Sequence, residues 1–185
     1  MKLYIKALAV TFVVGLVFVA LFYKWYQATH TTIGAQRMRT IEQMEADGLP
    51  HFDGLTLAGN KLSLTEFKDK VVVLSFWATW CGPCLEEFPS MIELSEKMKG
   101  KVQIIAVSQD SSREDIDVFL KTFPKANNPN FHIIWDESRD IGRLYDADRL
   151  PESFVAKPGL KLARKIVGSI NWATPEALEY MDSLR

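Results

Sequence analysis

At 185 residues, with 22 basic against 23 acidic side chains and a net charge of −1, the chain is sized for one domain with appendages. Acids and bases are interspersed, so the basic patch that a nucleic-acid partner requires is missing. Two cysteines are too few for a disulfide scaffold.

The chain opens on Met1-Lys2-Leu3-Tyr4-Ile5-Lys6, and Ala7 to Tyr23 follow without a charge. As a helix, residues 7–23 span about 26 Å, a little under the ~30 Å hydrocarbon core of a bilayer. Lys6 and Lys24 can snorkel, and Tyr4, Tyr23, Trp25 and Tyr26 suit the two interfaces. Residues 1–24 therefore read as a membrane anchor, with residues 7–23 in the lipid bilayer. Lys2 and Lys6 favour a cytoplasmic N-terminus, which puts the rest of the chain outside. A cleaved signal peptide is the competing reading. It calls for a shorter apolar region ending in small residues, whereas Val19-Ala20-Leu21-Phe22-Tyr23 is bulky, which favours an uncleaved anchor. Residues 25–48 are polar and mixed and read as a spacer, with Ile33, Met38, Ile41 and Met44 at weak helical spacing.

Leu49 to Leu57 alternates briefly, Ala58-Gly59-Asn60 makes a turn, and Lys61 to Leu64 continues, which predicts a small hairpin. Ser63 can cap a short helix over Leu64 to Phe67, with Glu66 at its third position. The β-branched run from Val71 to Trp77 predicts a buried strand. It ends at Trp80-Cys81-Gly82-Pro83-Cys84, and an amphipathic helix over about Pro83 to Met98 follows, with Leu85, Phe88, Ile92, Leu94 and Met98 as its apolar positions. Pro83 falls in the first turn, where a missing N–H costs little. Pro89 lies inside the helix and should kink it. Gly100 ends it.

Cysteine at a helix N-terminus is chemistry. Unpaired N–H groups and the positive end of the macrodipole favour thiolate over thiol. A thiol with pKa ~8.5 is about 3% ionised at pH 7; lowering that to ~7 ionises half of it, for roughly 2 kcal/mol. Cys81 can attack a disulfide, and Cys84, one turn further in and less exposed, can resolve the mixed disulfide. A zinc site is disfavoured, because one CxxC stands with His30, His51 and His132 scattered and without ligand spacing. A static bridge would close too short a loop to contribute much.

Ser75-Phe76-Trp77-Ala78-Thr79-Trp80-Cys81-Gly82-Pro83-Cys84 resembles the active-site segment of thioredoxin-like proteins. With Glu87-Phe88-Pro89 after it, the stretch resembles the membrane-anchored TlpA/ResA-type thiol–disulfide oxidoreductases in particular, and the resemblance runs from about residue 49 to 185. It implies a thioredoxin-like α/β fold, a central mixed sheet flanked by helices, with an N-terminal β-hairpin addition and a single transmembrane helix. It implies a bacterial inner-membrane protein whose domain works on the periplasmic side without a cofactor. Protein disulfides, apocytochromes c among them, are the implied substrates, and a thiol-reducing membrane protein is the implied electron donor. Gly82-Pro83 resembles reducing thioredoxin more than oxidising family members, which favours reductase. A disulfide-forming oxidant, a peroxide-reducing thiol enzyme and a copper-holding binding module are the alternatives. Trp80, Gly82 and Pro83 shape the surface around Cys81 on this reading.

Glu87 lies three residues after Cys84, on the same face. It can accept the Cys84 proton, as the matching glutamate does by resemblance, or it can be a dipole-stabilised acid in an early helical turn. Thioredoxin has a buried aspartate at the position matching Ser75, so here Glu87 or water is the expected proton path.

Val102 to Ser108 predicts a second buried strand, and Ser112 caps a helix running to about Thr122 with Ile116, Phe119 and Leu120 inward. The order implies a parallel pair with a right-handed crossover. Pro124 to Asn130 reads as loop, Phe131 to Trp135 as a short strand, and Ser138 to Tyr145 as a helix. Leu150-Pro151-Glu152-Ser153 resembles the family's cis-proline loop, which implies that Pro151 faces the cysteines and that the Leu150 backbone pairs with extended substrate. An ordinary trans proline at a strand start is the alternative. Ser153 to Lys157, Pro158-Gly159 and Leu162 to Val167 predict a closing hairpin. Thr174 caps a last helix with Pro175 in its first turn.

Overall fold

The computed structural model describes residues 15–24 and 40–185. Contacts divide the chain into two units, Met1–Arg37 and Met38–Arg185. In the first, residues 15–24 are helical, and Leu16, Val17, Phe18 and Phe22 are exposed. The expected anchor over residues 7–23 lies partly outside the described residues. Among the described residues no helix is long and apolar enough to cross a membrane.

The second unit begins earlier than its sequence suggests. Thr40 caps helix α1, Ile41–Asp47, reciprocally with Gln43: each backbone N–H donates to the other's side chain. Met44 on this helix is fully buried. Residues 40–48 of the expected spacer are therefore part of the packed domain, because one methionine fills a core position. Gly48 ends the helix at φ 95°, where a Cβ would sit 3.3 Å from the Gly159 and Leu160 carbonyl oxygens.

Strands β1, Asp53–Leu55, and β2, Lys61–Ser63, pair antiparallel. A 3-10 turn over Leu64–Phe67 leads to β3, Val71–Trp77. Helix α2, Gly82–Lys97, runs unbroken through Pro89 to β4, Val102–Ser108. Helix α3, Arg113–Leu120, a 3-10 turn at Pro124–Ala126 and β5, Phe131–Trp135, follow. Helix α4 is Asp140–Tyr145, two residues later than expected, because Asp136 accepts the Ile141 and Gly142 N–H groups and fixes the start of the turn. Strands β6, Glu152–Lys157, and β7, Lys161–Val167, and helix α5, Pro175–Ser183, complete the chain.

The sheet order is β5-β4-β3-β6-β7. β3, β4 and β5 are parallel, while β6 and β7 are antiparallel to their inner neighbours. Every residue of β3 and β4 is buried, as a strand covered on both faces requires. Alternation sends Val71, Val73 and Trp77 into one core with Phe88, Met91 and Leu94 of α2, Ile116 of α3 and Met181 of α5. It sends Val72, Leu74 and Phe76 into a second core with Tyr145 of α4, Phe154 of β6, Met44 and Leu64. The β5 edge is met by the hairpin segment, whose Leu57 N–H donates to the Ile133 carbonyl. At the other edge α1 packs against β7.

Because Met44 is sealed in the second core, Met44→Ala should cost about 2–3 kcal/mol of unfolding free energy. Urea denaturation checks this. An unchanged midpoint would mean that α1 is a passenger.

Candidate active site

The reactive pair sits where β3 hands over to α2. Cys81 is the N-cap residue of α2, and its Sγ accepts the Cys84 N–H at 3.3 Å, the place a serine or aspartate oxygen commonly takes. The Cys81 carbonyl accepts the Cys84 and Leu85 N–H groups, closing the first turn. Cys81 and Cys84 are joined in a disulfide, and both are buried, Cys84 the more deeply. Gly82 and Pro83 are exposed between them, and the Trp80 indole beside them is 64% exposed. An apolar rim of this kind, next to a reducible bond, suits transient contact with a protein surface.

The turn that delivers Cys81 is tied from below. Asp110, buried just beyond β4, accepts the Thr79 N–H with both carboxylate oxygens at 3.1 Å and the Thr79 hydroxyl at 2.7 Å. The Ser108 hydroxyl also donates to it at 2.7 Å, and the Trp135 indole N–H donates to its carbonyl. Neither Asp110 nor Thr79 was singled out in the sequence. An aspartate ending a buried strand was the available signal, and it reads equally as a helix lead-in.

Leu150-Pro151 is a cis peptide bond. Glu152 is paired with Phe76, so Pro151 falls at the level of Trp77, at the end of the sheet from which the CxxC departs. Leu150 is partly buried against the cluster that contains Cys81, Cys84 and Trp77. Glu152 is buried and ion-paired with Lys165 of β7, whose Nζ lies 4.9 Å from the Phe154 ring centroid. Ser75 and Ser153 are cross-strand partners, and both hydroxyls are buried without a hydrogen-bond partner. The position where thioredoxin carries its buried acid is thus a neutral serine pair.

The acid of this site is Glu87, only 3% exposed on α2. Its Oε1 accepts the indole N–H of Trp172, and the Ile170 backbone N–H also donates to it. Burial pushes its carboxyl from 4.5 up to about 7, against the pull of those donors. The dipole alone would leave a solvated carboxylate in the ordinary range. Trp172 was missed because it stands alone in the connection before α5, with no periodicity to mark it.

A redox pair capping a helix after the first central strand, with a cis-proline strand beside it, defines a thioredoxin-like thiol–disulfide oxidoreductase. The chain belongs to the AhpC/TSA family, whose profile matches residues 46–165. It is 38% identical over 131 residues to the thiol-disulfide oxidoreductase ResA of Bacillus thuringiensis subsp. konkukian (strain 97-27), covering 70% of this chain and 72% of that protein. Identity to ResA of Bacillus subtilis (strain 168) is 32% over 127 residues, covering 68% and 69%. A thiol:disulfide interchange protein of the thioredoxin family from Chlorobium tepidum TLS shares the fold, with a TM-score of 0.62 at 20% identity, over 72% of this chain and 94% of that one.

Glu87 also makes stability depend on pH. Between 4.5 and about 7 the folded chain holds a proton that the unfolded chain has released. Its contribution is full below that window and is lost as pH rises through the folded value, on the order of 3 kcal/mol in all. Unfolding free energies of the oxidised protein should therefore fall between about pH 4.5 and about pH 8, relative to Glu87→Gln. Parallel curves for the two proteins would show that Glu87 titrates as an exposed acid.

Proposed function

We propose that this protein is a membrane-anchored reductase of protein disulfides on the extracytoplasmic side of a bacterial inner membrane, with residues 1–24 as anchor and residues 25–39 as tether. The observation that carries the reading is the disulfide at the α2 N-cap with a buried carboxyl one turn behind it. Gly82-Pro83 between the cysteines and the similarity to ResA favour reduction over oxidation. The charge-free run from Ala7 to Tyr23 favours the anchor.

In the reduced enzyme Cys81 thiolate attacks a substrate disulfide. A Cys81–substrate bond forms, and the first substrate sulfur leaves with the electron pair. Glu87 carboxylate takes the Cys84 proton, and the Cys84 thiolate attacks Cys81 Sγ. The Cys81–substrate bond breaks, the second substrate sulfur leaves as a thiolate and takes a proton, and the Cys81–Cys84 disulfide remains. Two electrons have passed from the enzyme dithiol to the substrate. A thiol-reducing membrane protein returns them, since the compartment lacks the cytosolic reductants. Trp80, Gly82 and Pro83 form the rim that meets the substrate, and Leu150, before Pro151, offers backbone for pairing with an extended chain. Apocytochrome c before haem attachment is the substrate class that fits such a reductase.

The test is the reduction potential of Cys81–Cys84, by equilibration against dithiothreitol or glutathione. A value near thioredoxin's ~−270 mV or lower is expected, and a value near ~−120 mV would make the protein an oxidant. Cys84→Ser should accumulate a mixed disulfide with substrate protein, visible on a non-reducing gel, whereas Cys81→Ser should capture none. Equal capture by both would reverse the roles of the two cysteines.

A further inference from the structure

The connection between β7 and α5 does more than cross the end of the molecule. Its Trp172 is hydrogen-bonded to α2 at Ser90 and Glu87. The Trp172 N–H donates to Ser90 Oγ at 3.1 Å, and Ser90 Oγ donates to the Glu87 carbonyl at 2.7 Å. The Trp172 side chain is completely buried, and its indole N–H, a donor that cannot accept, points at Glu87 Oε1. One residue thus grips Glu87 at both ends, by main chain through Ser90 and by side chain directly. Glu87 also lines a cleft of about 450 Å³ with Glu86, Glu93, Ser169, Ile170 and Asn171.

We propose that Trp172 is a positioning residue of the exchange reaction, whose indole N–H holds the Glu87 carboxyl ready to take the Cys84 proton. The inference rests on the assignment of Glu87 as that proton acceptor. A hydrogen bond donated to a carboxylate stabilises the anion over the acid. Here the bond opposes burial, which on its own favours the acid. The other groups facing Glu87 are few. On α2, Glu86 and Glu93 line the cleft with it, and Cys84 stands three residues before it. Ser169, Ile170 and Asn171 of the connection are uncharged. Trp172 is thus the side chain that favours ionisation. Removing its N–H should raise the carboxyl by about one pH unit, the worth of one charge-assisted hydrogen bond. From a value of about 7, the ionised fraction at neutral pH would fall from about one-half to about one-tenth.

The experiment uses 5,5′-dithiobis(2-nitrobenzoate) as substrate for the reduced protein in stopped flow. Attack by Cys81 releases one thionitrobenzoate, and attack by Cys84 on the mixed disulfide releases the second. The pH profile of the second phase reports Cys84 activation. Trp172→Phe should move its midpoint up by about one unit and slow the second phase about fivefold at pH 7. Glu87→Gln should remove that limb, and adding Trp172→Phe to it should change nothing further. A profile unmoved by Trp172→Phe, with the limb still lost in Glu87→Gln, would overturn the proposal and leave Glu87 standing. A limb that survives Glu87→Gln would overturn both. Carboxyl ¹³C NMR of Glu87 in the oxidised protein then shows directly whether Trp172 sets its titration. If Trp172→Phe fails to fold, β-(3-benzothienyl)alanine at position 172, with sulfur in place of N–H at nearly constant volume, carries the same expectation.

Discussion

Burial of β3 on both faces is the constraint from which the rest follows. A strand with no solvent face has one register that satisfies two cores, because a slip by one residue would exchange Val73 and Leu74, Phe76 and Trp77, between them. That register fixes β4 on one side and β6 on the other, and it brings Trp77, Ser108 and Glu152 to the same end of the sheet. Cys81, Asp110 and Pro151 all stand at that end. Cys81 arrives by continuation of β3, Asp110 by continuation of β4, and Pro151 by the approach to β6. None of the three needs a long loop to reach its place, so the site inherits the rigidity of the strands.

Two of the buried acids near this end, Glu152 and Glu87, are handled in different ways. Glu152 is matched by a lysine and becomes half of an ion pair, whose removal from one side would leave a charge uncompensated in the core. Glu87 is held by an indole and a backbone N–H, both neutral. A neutral donor lowers the cost of the anion without supplying a full charge, so the group stays close to balance between its two forms. A carboxyl that exchanges protons must keep such a balance, whereas one that only ties β6 to β7 need not.

The parts of the molecule that were legible in the sequence are those carried by period or by adjacency. Val71 to Trp77 and Val102 to Ser108 announced themselves as buried strands by composition, and the CxxC announced its helix because Gly82-Pro83 and the apolar spacing of α2 lie in one stretch. The cis bond at Leu150-Pro151 was legible only through resemblance. Asp110, Trp172 and Lys165 were not legible. The bond from Trp172 joins residues 85 apart in sequence and that from Thr79 to Asp110 joins residues 31 apart, and each is made by a single side chain with nothing periodic around it. Helix α1 was half legible. Its spacing was visible at Ile41 and Met44, but a hydrophobic residue on a weakly amphipathic stretch does not say whether a core waits for it.

The covered edges of the sheet bear on turnover. An enzyme that handles extended chains runs the danger of adding them to its own sheet, where main-chain hydrogen bonds would hold product long after the sulfur chemistry ended. On one side the β5 edge is already occupied at Ile133 by the Leu57 N–H. On the other, β7 carries the exposed Lys161 and Arg164, charges that resist a further strand. On the proposed reading, main-chain pairing is confined to Leu150 beside the site, and dwell time is set mainly by the covalent bond at Cys81 that Cys84 breaks.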